Sequence, residues 1–356
     1  MRKPIPRILA LTVLHHPQFT AGVTLAERLR KRFTGDASVA IGERLGLPLI
    51  VLRRPGLPID LEAAETAAVV VLADEMLAKD AAWIATVETV VEACETAGLR
   101  ARTFVVCIDA AALTMSPKIG AINFLRWDKW KGKDEDKAQR LVCDLTYQCC
   151  RILRSWLSQQ AEHNAACRDA FAEYLANVQI FLSHSKHDGD QTGEAIAKAV
   201  RAYQHAGSGY DSFFDVHDIP PGLPFDKVLR THVHRSAFLA VHTDSYSSRD
   251  WCGTEVIEAK RADVPMVVAD AVTDREDRAL PYLGNVPVVR LMPRQPKQRI
   301  PLVVDRLVLE VLKDYLWRCR RVAAGAGKDP DLGFVSRAPE LISLAATGRR
   351  SGTILY

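Results

Sequence analysis

Short apolar runs rich in β-branched residues alternate with helical patterns along this whole chain, which points to parallel α/β units. In the second half, Val178–His184, Tyr210–Val216, Ala237–Thr243, Val264–Asp270 and Asn285–Leu291 read as strands. Helical periodicity falls over Gln191–His205, around Phe225–His234, over Trp251–Arg261 and over Pro301–Arg320. The first half repeats that order. Its expected strands are Pro6–Leu14, Leu47–Leu52, Ala67–Ala73, Thr103–Asp109 and Ala121–Arg126, and its helices Ala21–Phe33, Trp83–Ala97 and Asp134–Gln160. The pattern predicts two tandem flavodoxin-like domains, each a five-stranded parallel sheet with helices on both faces. Such sheets bind ligands beyond the carboxyl ends of their strands.

One loop recurs almost letter for letter, PGLPID at Pro55–Asp60 and PGLPFD at Pro221–Asp226, with a tryptophan after each at Trp83 and Trp251. In register with the strand pattern, this is read as an internal duplication. The expected division is a first domain over 1–160, a helical linker over 161–176, a second domain over 177–321 and a tail over 322–356. The Ser158–Ala176 segment has no Pro or Gly, which favours helix. The apolar end of the tail, Ile354-Leu355-Tyr356, reads as the start of an element that docks on the body or continues in a longer native chain.

A net charge of +4 over 356 residues, with acids and bases interleaved, makes no case for direct nucleic-acid or membrane contact. No apolar run is long enough to span a bilayer, and the basic N-terminus lacks a cleavage site for export. The eight cysteines form no CxxC pair and mostly sit in apolar runs, as in a reduced, cytoplasmic protein. Neither GxGxxG nor a Walker loop is present, which disfavours a dehydrogenase or an NTPase. His232 and His234 fall on different faces of their expected helix, so no metal site is read.

Three segments carry a family resemblance. IFLSHSKHD (Ile180–Asp188) resembles the opening strand and loop of Toll/interleukin-1 receptor (TIR) domains, and FFDVHDIPPGLPFDKVL (Phe213–Leu229) their second strand and mobile loop. SYSSRDWCGTEVIEA (Ser245–Ala259) is similar to the TIR signature in which a serine-rich turn leads to Trp-Cys-x-x-Glu. The resemblance implies cleavage of the nicotinamide–ribose bond of NAD+, with Glu255 as the catalytic residue and NAD+ as substrate rather than cofactor. It further implies NAD contacts at Ser183, His184, Ser185 and Lys186 after the first strand, at Asp215 and in the loop at Ile219 and Gly222, and at Trp251. Also implied are self-association through TIR domains, a possible sensor protein or nucleotide second messenger as trigger, and a role as a bacterial antiphage effector. The product is ADP-ribose or a cyclic ADP-ribose. The alternative is a non-catalytic TIR adaptor.

The residues make physical sense of that chemistry. Bond cleavage develops an oxocarbenium-like centre that a fixed carboxylate stabilises. Glu255 falls near the start of its helix, where the dipole favours an ionised carboxylate. Trp251, four residues earlier, shares its face. In the first half, aligning the tryptophans places Val87 against Glu255, and the first strand ends Leu14-His15-His16. That copy is read as degenerate.

Overall fold

The computed structural model describes residues 6–35, 43–161, 170–185, 193–205, 236–274, 281–292, 295–324, 332–334, 341–346 and 353–355. The chain divides into two compact units, the first comprising Met1–Leu175 and Arg318–Ala324, the second Ala176–Trp317 and Gly325–Tyr356.

The first unit is built on β1 (Leu9–His15), β2 (Leu49–Leu52), β3 (Thr66–Ala73) and β4 (Ala101–Cys107), all parallel, in the order β2-β1-β3-β4. Every residue of the central β3 is buried, because a parallel strand covered on both faces needs a continuous apolar run rather than alternation. Helices α1 (Thr20–Thr34), α2 (Glu75–Lys79), α3 (Ala81–Thr96), α4 (Pro117–Gly120), α5 (Asp134–Ala161) and α6 (Ala170–Leu175) accompany the sheet. Asp80 caps α3 through its carboxylate, which accepts from the backbone of Ala82 and Trp83. Trp83, Val87, Val90, Val91 and Cys94 then form its buried stripe. The loop at Pro55–Asp60 is tied to this helix, since Gly56 N donates to Thr86 Oγ1 at 2.9 Å. On α6, Glu173 receives the Arg154 guanidinium of α5 at its backbone oxygen (2.7 Å) and faces it with its carboxylate (3.7 Å).

The second unit has β5 (Gln179–His184), β6 (Ser236–His242), β7 (Met266–Asp270) and β8 (Val288–Arg290), again parallel and in the order β5-β6-β7-β8. Its helices are α7 (Gly193–His205), α8 (Asp250–Arg261) and α9 (Ile300–Ala323), the last belonging to this unit up to Trp317. Phe181, Phe238, Ala240, Tyr246, Cys252, Val256 and Met266 meet in its core. In the tail, β9 (Leu332–Phe334) pairs in parallel with β10 (Thr353–Leu355), and α10 (Leu341–Ala346) packs on α8.

Both sheets therefore have four strands among the described residues, where five were expected. In the first unit the segment Ala121–Arg126 contributes a single bridge, Val106 to Leu125. It stops there because Arg126 turns onto the Asp128 carboxylate and a 3-10 turn begins at Trp127. In the second unit the expected strand Tyr210–Val216, the Pro221–Asp226 repeat and the helix around Phe225–His234 lie outside the described residues.

Candidate active site

The carboxyl ends of β5, β6 and β7 gather the polar residues of the second unit. Helix α8 stands over them because Cys252, Glu255, Val256 and Ala259 recur at helical spacing and are all buried. Asp250 in its first turn and Lys260 and Arg261 in its last complement the helix dipole. The helix ends where Asp263 takes φ 54°, a left-handed turn that Asp tolerates better than most side chains, and Val264 N donates to Ala259 O at 3.0 Å.

Glu255 thus occupies a position in an apolar stripe. It is only 4% exposed. A buried carboxylate needs hydrogen-bond donors. Ser183, 1% exposed near the end of β5, donates to Glu255 Oε2 at 2.5 Å, and its Oγ lies 2.8 Å from the Tyr246 hydroxyl. Tyr246 is fully buried. Burial first, and then the neighbouring Cys252, push its phenol well above the ordinary tyrosine range, outweighing the opposing hydrogen bond to Ser183; the charge of Glu255 adds to the rise.

Around this core lie further polar groups, of which His184 and Ser185 are buried. Ser185 accepts a hydrogen bond from Ser245 at 2.7 Å. His184 Nε2 is 3.3 Å from Glu194 Oε2 on α7. Lys198 first and His184 second hold the Glu194 carboxyl below the usual range. Beyond β6, burial raises the proton affinity of Asp244. Hydrogen bonds from the hydroxyl and N–H of Thr273 and the N–H of Asp274 overcome this, and its carboxyl lies below the usual range. Those bonds join the loop after β7 to the loop after β6.

Of the residues singled out from sequence, Ser183, His184, Ser185 and Glu255 come together at this sheet end, with buried side chains engaged by protein groups. Trp251 is 62% exposed, so it is no part of the core. Lys186, Asp215, Ile219 and Gly222 lie outside the described residues. Sequence reasoning missed Tyr246, whose hydroxyl meets a partner 63 positions away, and Glu194. It also missed Arg249, which heads α8 with its Nε buried and lacking a hydrogen-bond partner. A lone arginine in a serine-rich turn carries no periodic signal.

The helix caps offer a second way to align the two halves, one residue from the alignment by tryptophans. Counted from their N-caps Asp80 and Arg249, the third residues of α3 and α8 are Trp83 and Cys252, the sixth Thr86 and Glu255, and the seventh Val87 and Val256. The third and seventh are buried in both helices. Counted this way, Trp83 falls opposite Cys252 rather than Trp251, and Thr86 rather than Val87 falls opposite Glu255.

A crystal structure described as that of the glycotransferase of kitacinnamycin aligns with 96% of this chain and 98% of its own at 13% identity, with a TM-score of 0.25 that carries no argument about fold or function. Comparison with curated proteins gives no match. Residues 180–302 match the family model described as TIR domain, a span that contains Ser183, Tyr246, Arg249 and Glu255. The segment over 180–302 of the second unit is a TIR domain.

Proposed function

We propose that the second unit is an NAD+ glycohydrolase with Glu255 as its catalytic residue. The observation that carries this reading is a carboxylate buried in α8 and hydrogen-bonded at the carboxyl end of β5. In the reaction the C1′–N bond breaks and its electron pair neutralises the positive nicotinamide nitrogen. The charge left on the ribosyl carbon is stabilised by the Glu255 carboxylate. Water then adds to C1′ and loses a proton, giving ADP-ribose. Attack instead by an internal nucleophile of the adenosine moiety gives a cyclic ADP-ribose. Arg249, at the head of the same helix, supplies a cation suited to the diphosphate. Trp251 supplies an exposed aromatic face for a base.

The remainder of the reading follows from the family. Self-association through TIR domains would complete the cleft in a cytoplasmic bacterial antiphage effector, in response to a sensor protein or nucleotide second messenger. The first unit is then a TIR-like copy without chemistry. The exposed Trp251 also supports a second reading, an adaptor that docks other TIR domains through α8.

Chromatography of NAD+ incubated with the protein tests the proposal. Nicotinamide with ADP-ribose or its cyclic form supports it, and unchanged NAD+ at every protein concentration leaves the adaptor. Trp251→Ala separates the two roles of that side chain. As a base platform its loss raises KM about tenfold, within the 1–3 kcal/mol of a base–aromatic stack, with an unchanged melting temperature. As an interface residue its loss changes the oligomer distribution instead, read by light scattering.

A further inference from the structure

The hydroxyls behind Glu255 have a single hydrogen-bond pattern that satisfies an ionised acid. Ser183 has one proton and two neighbours, the Glu255 carboxylate at 2.5 Å and the Tyr246 hydroxyl at 2.8 Å. An ionised carboxylate only accepts, so the Ser183 proton points to Glu255 and the Tyr246 proton to Ser183. All three groups are buried, and water does not replace either donor without cost.

The first unit supplies an internal comparison. Counting from strand ends, Leu14 of β1 stands where Ser183 stands in β5, and Leu77, four residues beyond β3, where Tyr246 follows β6. Thr86 replaces the acid. The unit without the carboxylate has an apolar side chain at both hydroxyl positions, although Leu77 is as fully buried as Tyr246. Packing alone is met by leucine, and the hydroxyls accompany the acid.

We propose that Tyr246 and Ser183 form a proton-ordered relay that holds Glu255 ionised and fixed in rotation, making both positioning residues for the reaction rather than substrate contacts. This inference rests on the NAD-cleaving reading of Glu255, and it moves Ser183 out of the set of NAD-binding residues. Donating an O–H to the charged form makes a carboxylate harder to protonate, so the relay keeps the acid competent at lower pH. Among the described residues, the other titratable groups about it include Cys252 on α8, His184 on β5 with Glu194 of α7, and His242 on β6, whose ring meets that of Tyr246 edge-on at 5.7 Å and whose Nδ1 lies 3.9 Å from Asp270.

The test compares Ser183→Ala, Ser183→Thr and Tyr246→Phe with the wild-type full chain, in kcat, KM and pH profile. Ser183→Ala should lower kcat about 10- to 100-fold with KM within about twofold, the cost of one charge-assisted hydrogen bond at the acid. The acid limb of kcat should move to higher pH. Ser183→Thr should restore most of the rate, and Tyr246→Phe should shift the limb the same way by less. Equal losses in the alanine and threonine variants, or an acid limb that stays in place in Tyr246→Phe, would overturn the relay. Titration of the Glu255 carboxyl by 13C NMR, assigned by its absence in Glu255→Gln, separates the two layers. If the wild type releases no nicotinamide, the NAD reading fails while the titration still decides the relay. A carboxyl that titrates at higher pH in Ser183→Ala or Tyr246→Phe supports it, and one that titrates alike in all three proteins refutes it.

Discussion

Glu255→Gln is expected to release nicotinamide from NAD+ on the order of a thousandfold more slowly than the wild type, while keeping the fold. The amide matches the carboxylate in shape, and its oxygen still accepts the Ser183 proton over the 2.5 Å contact. What it loses is the negative charge facing the oxocarbenium-like centre, and one such electrostatic group is worth about 10²–10³ in kcat. Stability should change by about 1 kcal/mol, that of a charge-assisted bond becoming a neutral one. Glu255→Ala is the poorer test, because the residue is buried and truncation leaves a cavity and a stranded serine. Circular dichroism and a thermal melt alongside the assay establish that the loss is chemical. A rate within tenfold of wild type would remove Glu255 from catalysis.

Val87→Glu should strongly destabilise the first unit. Val87 is fully buried on α3 in an apolar cluster with Trp83, Val90 and Val91, where a carboxylate would lose its water. The expected cost is about 4 kcal/mol or more, against a total domain stability of about 5–15 kcal/mol. Thr86→Glu, one residue earlier and partly exposed, should cost about 1 kcal/mol through the lost Gly56 contact. Limited proteolysis over residues 6–161 reads both. Neither substitution should create NAD cleavage, because Leu14 and Leu77 leave a new acid without donors. Similar melting behaviour of the two variants would contradict the burial difference on which the alignment by caps rests.

Much of the architecture was legible in sequence because apolar periodicity reports directly which face meets a core. The helix expected over Asp134–Gln160 runs from Asp134 to Ala161, and that expected over Trp251–Arg261 begins one residue earlier, at Asp250. The fully apolar Ala67–Ala73 is the buried centre of its sheet. What escaped depends on partners distant in the chain. Cys252, Glu255, Val256 and Ala259 show that Glu255 lies in a buried stripe, but the donor that makes a carboxylate tolerable there is 72 positions away. The tryptophans suggest an alignment by identity, whereas counting from the helix caps gives one shifted by a residue. The fifth strand of the first unit failed because a single Arg126–Asp128 pair and the following turn end it after one bridge, a competition that propensity does not register. The pairing of β9 with β10 joins short segments that carry too few residues for any period.

The central claim is that the TIR domain is an enzyme acting on NAD+ through Glu255, and a proton NMR time course of NAD+ with the full chain tests it most directly. Wild-type protein, at concentrations raised until it self-associates, is predicted to convert the nicotinamide resonances of NAD+ to those of free nicotinamide over many turnovers. Glu255→Gln at equal concentration is predicted to leave them unchanged on that timescale. NAD+ that stays intact with the assembled wild type, or that is cleaved equally by both proteins, would contradict the account.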